Sequence, residues 1–216
     1  MFESILVTLA ALLPIVNPLG TAPIFLAMSA DLPQHARHHL ATVVARNAFV
    51  LLAAATLVGS YILQFFGISL PVVRVAGGLV VLGAGWRLLH AGHAEDAPDR
   101  RQVADAWERE LARRSFYPLT FPLTVGPGSI SIAITLGARE AADPAARALF
   151  VAADLVGIAI ITLAVYLSYR FASRLISRLG ETGTNVFLRL SAFIMLCVGV
   201  AILWGGIAGL IEPLRR

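Results

Sequence analysis

LLPIVNPLGTAPIF at Leu12–Phe25 and YPLTFPLTVGPGSISI at Tyr117–Ile132 decide how this chain folds. The first carries Pro14, Asn17, Pro18, Gly20 and Pro23, the second Pro118, Pro122, Gly126, Pro127 and Gly128. Each proline removes a backbone donor and clashes with the preceding turn, and glycine lowers the barrier to leaving helical geometry. Both stretches sit inside long apolar runs, so each is expected to be a membrane helix broken near its middle. Unpaired amides and carbonyls cost several kcal/mol each in hydrocarbon, so such backbone is tolerated where protein, water or a solute satisfies it. The breaks should therefore line a cavity.

An opened turn presents free amides with partial positive charge, suited to a carboxylate, and free carbonyls, suited to an ammonium group. Around the breaks lie Asn17, Thr21, Thr124, Ser129 and Ser131, which donate and accept without carrying charge. Together with Pro18, Gly20, Gly126, Pro127 and Gly128 they form the candidate substrate-binding set, a site for a small zwitterion or polar neutral molecule. Prolines that merely kink packed helices are the plainer explanation, and matched breaks in two spans weigh against it.

Outward from the breaks, apolar runs occur at Ile5–Ala30, Ala41–Phe66, Leu70–Leu89, Phe116–Ala138, Ala148–Tyr169 and Val186–Ile211. With 58% hydrophobic and only 14% charged residues in 216, the chain has room for six spans of roughly 20 residues and little else. The first run is too long for a signal peptide and has no basic leader, so it reads as a retained span. The expected organisation is a three-helix unit at 1–91, a charged cytoplasmic connector at 92–115 with Trp107 and Leu111 among its charges, and a second three-helix unit at 116–216. The net charge of +4 comes from arginines scattered over loops and helix ends, which fits membrane orientation and argues against nucleic acid.

Nine arginines fall in the joints after spans one, three and five: Arg37, Arg100, Arg101, Arg109, Arg113, Arg114, Arg170, Arg174 and Arg178. Four lie on the other side, at Arg139, Arg147, Arg215 and Arg216, so both termini are expected to be periplasmic. Pro127 follows Pro18 by 109 residues, Gly180 follows Gly67 by 113 and Arg189 follows Arg74 by 115. A repeated unit of three spans must invert in the membrane, and inverted repeats characterise secondary transporters with sites near the midplane.

Asp154 lies inside span five, where a carboxylate must find a cation or bind a proton. Arg74 is the expected partner, and the repeat pairs Arg189 with Asn47 in the same way. These pairs either hold helices together or let Asp154 couple transport to protons. Arg46 and Arg87, near span ends, are expected to snorkel.

NPLGTAPIFLAMS at Asn17–Ser29, FGISLPVVRVAGGLVVL at Phe66–Leu82, FPLTVGPGSISIAITLG at Phe121–Gly137 and LGETGTNVFLRLSAFIMLCVGVAIL at Leu179–Leu203 resemble the MarC family, which includes the SnatA-type neutral amino acid transporters. The resemblance runs through most of the chain. It implies an all-α membrane protein of six spans in two inverted repeats, like the LysE-type exporters to which the family looks related. It also implies a bacterial inner-membrane location and small neutral amino acids, such as glycine or alanine, as substrates. Phe193 departs from the smaller residue expected there.

The resulting expectation is a secondary transporter with no catalytic residues, cofactor or metal. A non-transporting membrane scaffold or stress-response protein, and an exporter of a drug or another metabolite, are its rivals. His35, His38 and His39 suggest zinc only superficially, since no cysteine joins them and Asp31 faces away. A single intramembrane acid and no histidine at depth argue against proteolysis. Cys197 stands alone inside an apolar stretch, which excludes a disulfide framework, a cysteine zinc site and dithiol redox chemistry. The small residues of Ala76–Gly85 read as helix-packing surface, and such faces allow a homo-oligomer without requiring one.

Overall fold

The structure is a computed structural model describing residues 1–29, 32–90, 115–139, 141 and 143–212. The connector, apart from Ser115, lies outside the described residues, as do Asp31, Arg215 and Arg216.

The first run forms α1 (Phe2–Val16) and α2 (Pro18–Met28), divided at Asn17. Its buried residues Ser4, Thr8, Leu12, Ile15 and Val16 recur at helical spacing and make one inward stripe. The break is narrower than three prolines suggest. Asn17 alone adopts a left-handed conformation (φ 45°, ψ 62°), and the ladder continues across it through Asn17 N–H to Leu13 O at 2.9 Å and Thr21 N–H to Asn17 O at 3.0 Å. Asparagine tolerates this region better than other residues with a side chain.

Helices α3 (Gln34–Phe65) and α4 (Leu70–His90) complete the first half. Arg37, on the first turn of α3, donates from Nε to Ser29 O at 3.2 Å and from Nη2 to Leu32 O at 3.1 Å, satisfying carbonyls beyond the end of α2.

The fourth run is more thoroughly broken. A π-helical segment, α5 (Ser115–Thr124), is followed by α6 (Pro127–Gly137) at a bend of 69°. Tyr117 and Phe121 take extended dihedrals inside α5 because each precedes a proline, whose ring excludes the helical region from its neighbour. The carbonyls this disturbs are taken up five residues on: Thr120 Oγ1 donates to Ser115 O and Thr124 Oγ1 to Leu119 O, both at 2.6 Å.

Asp143 caps α7 (Pro144–Arg170) by accepting from Ala146 N–H at 2.7 Å, with Pro144 at the first helical position and Arg170 in the last turn. Finally, α8 (Ala172–Ile211) turns sharply at Gly180, whose φ of 66° is open to glycine. Gly67, ahead of α4, has the matching φ of 65°.

Among the described residues, four segments can by length and apolarity cross a membrane: Phe2–Leu26, Gln34–Phe65, Pro144–Arg170 and Ala192–Ile211. The bent α5–α6 pair makes five, while the apolar part of α4 is the shorter stretch Leu70–Gly83. Outward faces carry Val50, Leu57, Leu163 and Trp204, as lipid contact requires.

Packing is reciprocal. Helices α1 and α2 lie on α7, α5 and α6 lie on α3, and α3 and α7 meet each other. One buried cluster, including Leu12, Phe25, Leu40, Leu52, Leu119, Ile158 and Tyr169, runs through all of these elements. On the flank, α4 and α8 form the most extensive contact in the molecule. They run antiparallel and almost backbone to backbone: a Cβ at Gly78 would stand 2.6 Å from Leu203 N, and one at Gly199 2.8 Å from Leu82 N.

Candidate functional site

At the first break Asn17 ends one helix and starts the next. Its Oδ1 accepts from Gly20 N–H at 3.2 Å, the geometry of an N-terminal cap on α2. The amide lies so close over Gly20 that a Cβ there would sit 2.2 Å from Asn17 Nδ2, which is why position 20 has no side chain. Nδ2 itself is buried and has no hydrogen-bond partner. Pro18 has no N–H, so the Pro14 carbonyl one turn earlier loses its helical donor.

The break lines a cleft of about 580 Å³ that opens on the outer, apolar side, where Leu13, Leu19 and Leu190 are exposed. Its walls are the break itself, including Leu13, Pro14, Pro18 and Leu19, then Ala164, Leu167 and Ser168 of α7, and Leu190 and Ile194 of α8. Among these residues Asn17 and Ser168 supply the polar side chains, so the chamber is more apolar than the candidate set implies.

A buried phenol joins the two breaks. Tyr169 OH donates to Thr21 Oγ1 at 3.0 Å and lies 2.8 Å from Thr124 Oγ1, while Thr21 Oγ1 is 3.1 Å from Asn17 O. Each threonine gives its one proton to a carbonyl of its own helix, Thr124 to Leu119 O and Thr21 to Asn17 O, so the phenol's single proton is shared between the two threonine oxygens. The Tyr169 ring stacks on Phe25 with centroids 4.3 Å apart. Tyr169→Phe keeps that stack and leaves both threonines bonded to their own helices, so it should lower stability by about 1 kcal/mol. Thermal unfolding in detergent would check this.

The remaining second-half candidates lie elsewhere. Ser129 Oγ donates to Gly126 O at 2.9 Å, Ser131 Oγ donates to Val73 O at 3.0 Å, and Gly128 packs on Gly77 and Val81. Gly126 and Pro127 form the cap and first position of α6. Of the expected set, Asn17 and Pro18 line the cavity and Thr21 and Thr124 meet at Tyr169. Ser129, Ser131 and Gly128 are buried at the second break.

Asp154 is 1% exposed. Its Oδ1 accepts from Thr8 Oγ1 at 2.6 Å and from Arg139 Nη2 in an ion pair, and its Oδ2 is buried without a partner. The expected pairing with Arg74 is corrected. Arg74 sits on α4, which packs on α8 and α6, and its Nε reaches Thr135 Oγ1 at 3.4 Å. Arg139 follows α6 directly, just before the start of α7, and keeps its guanidinium partly in solvent, so its desolvation is cheaper. The Arg189–Asn47 pairing is also absent among the described residues: Arg189 is exposed on α8, whose main neighbour is α4, while α3 packs on α6 and α7.

Tyr169, Phe25, Thr8 and Arg139 escaped the sequence reading. A signal for Tyr169 existed, because Asp154, Ile158, Ile161, Val165, Ser168 and Tyr169 share one buried helical stripe. Extending that stripe from Asp154 reaches the phenol. Among the described residues no cluster of histidine, cysteine or acid is placed to hold a metal.

Residues 2–211 match the model of the MarC family integral membrane proteins. The chain is 30% identical over 216 residues to the UPF0056 inner membrane protein MarC of Escherichia coli strain K12, covering 98% of this chain and 97% of the relative. It is 29% identical, with the same coverage, to the protein of that name from Citrobacter koseri. No solved structure matches it. A chain with these broken, lipid-facing helices and this match along nearly its whole length belongs to the MarC family of integral membrane proteins.

Proposed function

We propose that this protein is a secondary transporter of small neutral amino acids, glycine- or alanine-sized, in the bacterial inner membrane, and not an enzyme. The observation that carries the reading is the buried, unpartnered Asn17 Nδ2 at a break whose residues Pro14, Asn17 and Pro18 line a cleft of about 580 Å³. An unmet amide donor suits a carboxylate, and the cleft is large enough to hold a small amino acid. The apolar remainder of the wall favours a short aliphatic side chain over a charged one.

The proposed architecture is six spans in two inverted three-helix halves, as in the LysE-type exporters, with both termini periplasmic. The reciprocal packing supports it: the first broken span lies on the fifth and the fourth lies on the second. So do the positive-φ glycines that precede the third and sixth spans, Gly67 and Gly180. In this reading Asp154 is the acid through which protons couple to transport, since its Oδ2 is buried without a donor.

Labelled glycine and alanine taken up into proteoliposomes, with and without an imposed proton gradient, test the proposal. Wild type should accumulate the label. Asn17→Ala should slow initial uptake about tenfold, the worth of one buried hydrogen bond in the bound state. Failure of wild type to move any small solute would favour a non-transporting scaffold instead.

A further inference from the structure

The cleft at the first break opens toward lipid. Of the ten residues that line it, eight are apolar, and Leu13, Leu19, Leu167, Leu190 and Ile194 are each more than 40% exposed on the outer surface. Asn17 lies roughly 22 Å from the first residue of the span Phe2–Leu26 and roughly 14 Å from its last, at a rise of about 1.5 Å per residue. The mouth is therefore at the depth of the acyl chains. A zwitterion has no route in from that side, because its charges would first have to leave water and cross hydrocarbon. A molecule already dissolved in the bilayer enters without that step.

One group at this apolar site lacks a partner. Asn17 Oδ1 accepts from Gly20 N–H at 3.2 Å, which fixes the orientation of the amide and leaves Nδ2 buried with no acceptor. The other buried side-chain atom without a partner among the described residues, Asp154 Oδ2, is an acceptor and belongs to the cluster with Thr8 and Arg139. The cleft thus combines one unmet donor, no charged residue and about 580 Å³ of space. We propose that it binds an apolar molecule dissolved in the bilayer that carries a single carbonyl-type acceptor, entering sideways from the acyl chains and taking the hydrogen bond of Asn17 Nδ2. A plain acyl chain would fill the space and leave the donor unmet, and a charged head group would find no counter-ion there. The inference goes beyond the transport reading and does not require it, since a ligand from the lipid side occupies the cleft whether or not amino acids pass the same break.

The probe is a benzophenone bearing a dodecyl chain, whose carbonyl is both the acceptor and, under near-ultraviolet light, the group that inserts into a neighbouring C–H bond. Wild type in phosphatidylcholine nanodiscs is irradiated over a range of probe-to-lipid ratios, and the adducts are located by peptide mass spectrometry. Adducts at Leu13, Leu19 and Leu190 should saturate with probe, whereas those at the outward Val50, Leu57 and Trp204 should rise in proportion to it. Asn17→Gly, which keeps the φ of 45° without strain, should lower the cleft adducts about fivefold, the factor for one hydrogen bond. Ala164→Phe puts a ring into the cleft, and should lower the adducts there while leaving the outward ones unchanged.

Equal, non-saturating yields at cleft and outward residues overturn the proposal, since the probe then samples the cleft as it samples any lipid-facing groove. Saturation that Asn17→Gly leaves unchanged overturns it too, because the amide then plays no part. Thermal unfolding in detergent shows whether each variant is folded. Should Asn17→Gly not fold, Ala164→Phe decides, with undiminished cleft adducts as the result against the site. Uptake of labelled glycine bears on transport alone: its absence in wild type removes that reading and leaves the adduct pattern to decide this one.

Discussion

Arg139→Ala should destabilise the folded protein by about 3 kcal/mol or more, among the largest effects of any side-chain truncation in it. The substitution leaves Asp154 at 1% exposure with Thr8 Oγ1 as its remaining donor and Oδ2 still unpartnered. A buried carboxylate without its cation bears the cost of desolvation with little in return. Arg139 also donates from Nε to Leu136 O at 3.0 Å and stands 5.3 Å from the Phe150 ring centroid, so the joint between α6 and α7 loosens too. Asp154→Asn should recover much of the loss in the Arg139→Ala background, because the neutral amide needs no cation. Denaturant unfolding of the two single variants and the double variant in detergent measures the coupling directly. Additive effects would show that the ion pair contributes nothing of its own.

The second large effect is expected at Gly137. A Cβ there would stand 1.7 Å from Thr56 O and 2.7 Å from Thr56 C, backbone atoms of α3 that no rotamer change can move. Gly137→Leu must push α6 away from α3 at the contact holding the second broken span in place. The cost should reach about 3 kcal/mol, the upper range for overpacking, with loss of the monodisperse detergent-purified species. A control at Gly83, where nothing lies within 4 Å of a Cβ, should tolerate alanine with little change. Equal melting temperatures for Gly137→Leu and wild type would mean that α3 and α6 are free to part there.

Much of the fold is legible in the residues because the decisive ones act locally. Pro118 and Pro122 push Tyr117 and Phe121 into extended dihedrals whatever surrounds them, so the break in the fourth run follows from the order of amino acids. The first break is only partly legible. Pro14 and Pro23 are absorbed within α1 and α2, and one left-handed asparagine makes the interruption. A lost donor is visible in sequence, whereas the accommodation of that loss depends on neighbours.

The candidate site divides along the same line. Asn17 and Pro18 line a cavity as their chemistry suggests, but Tyr169 could not be singled out by composition. A tyrosine near the end of an apolar helix is commonly an interfacial anchor, and only the approach of α2 and α5 makes it a bridge between breaks. Asp154 was recognisable as an acid needing a partner, and the choice of partner was not.

The amino-acid order by itself determined that this chain enters a membrane, where its helices break and which acid needs a partner. Those properties belong to single residues and their immediate neighbours: apolarity, a missing N–H, a carboxylate in hydrocarbon. Tertiary structure alone decided that Arg139 rather than Arg74 answers Asp154, that Tyr169 ties the breaks together, and that one break lines a cleft while the other packs on α4. Each depends on distances between segments far apart in the chain, set by how closely glycine-bearing helices approach, and periodicity within one segment carries no record of them.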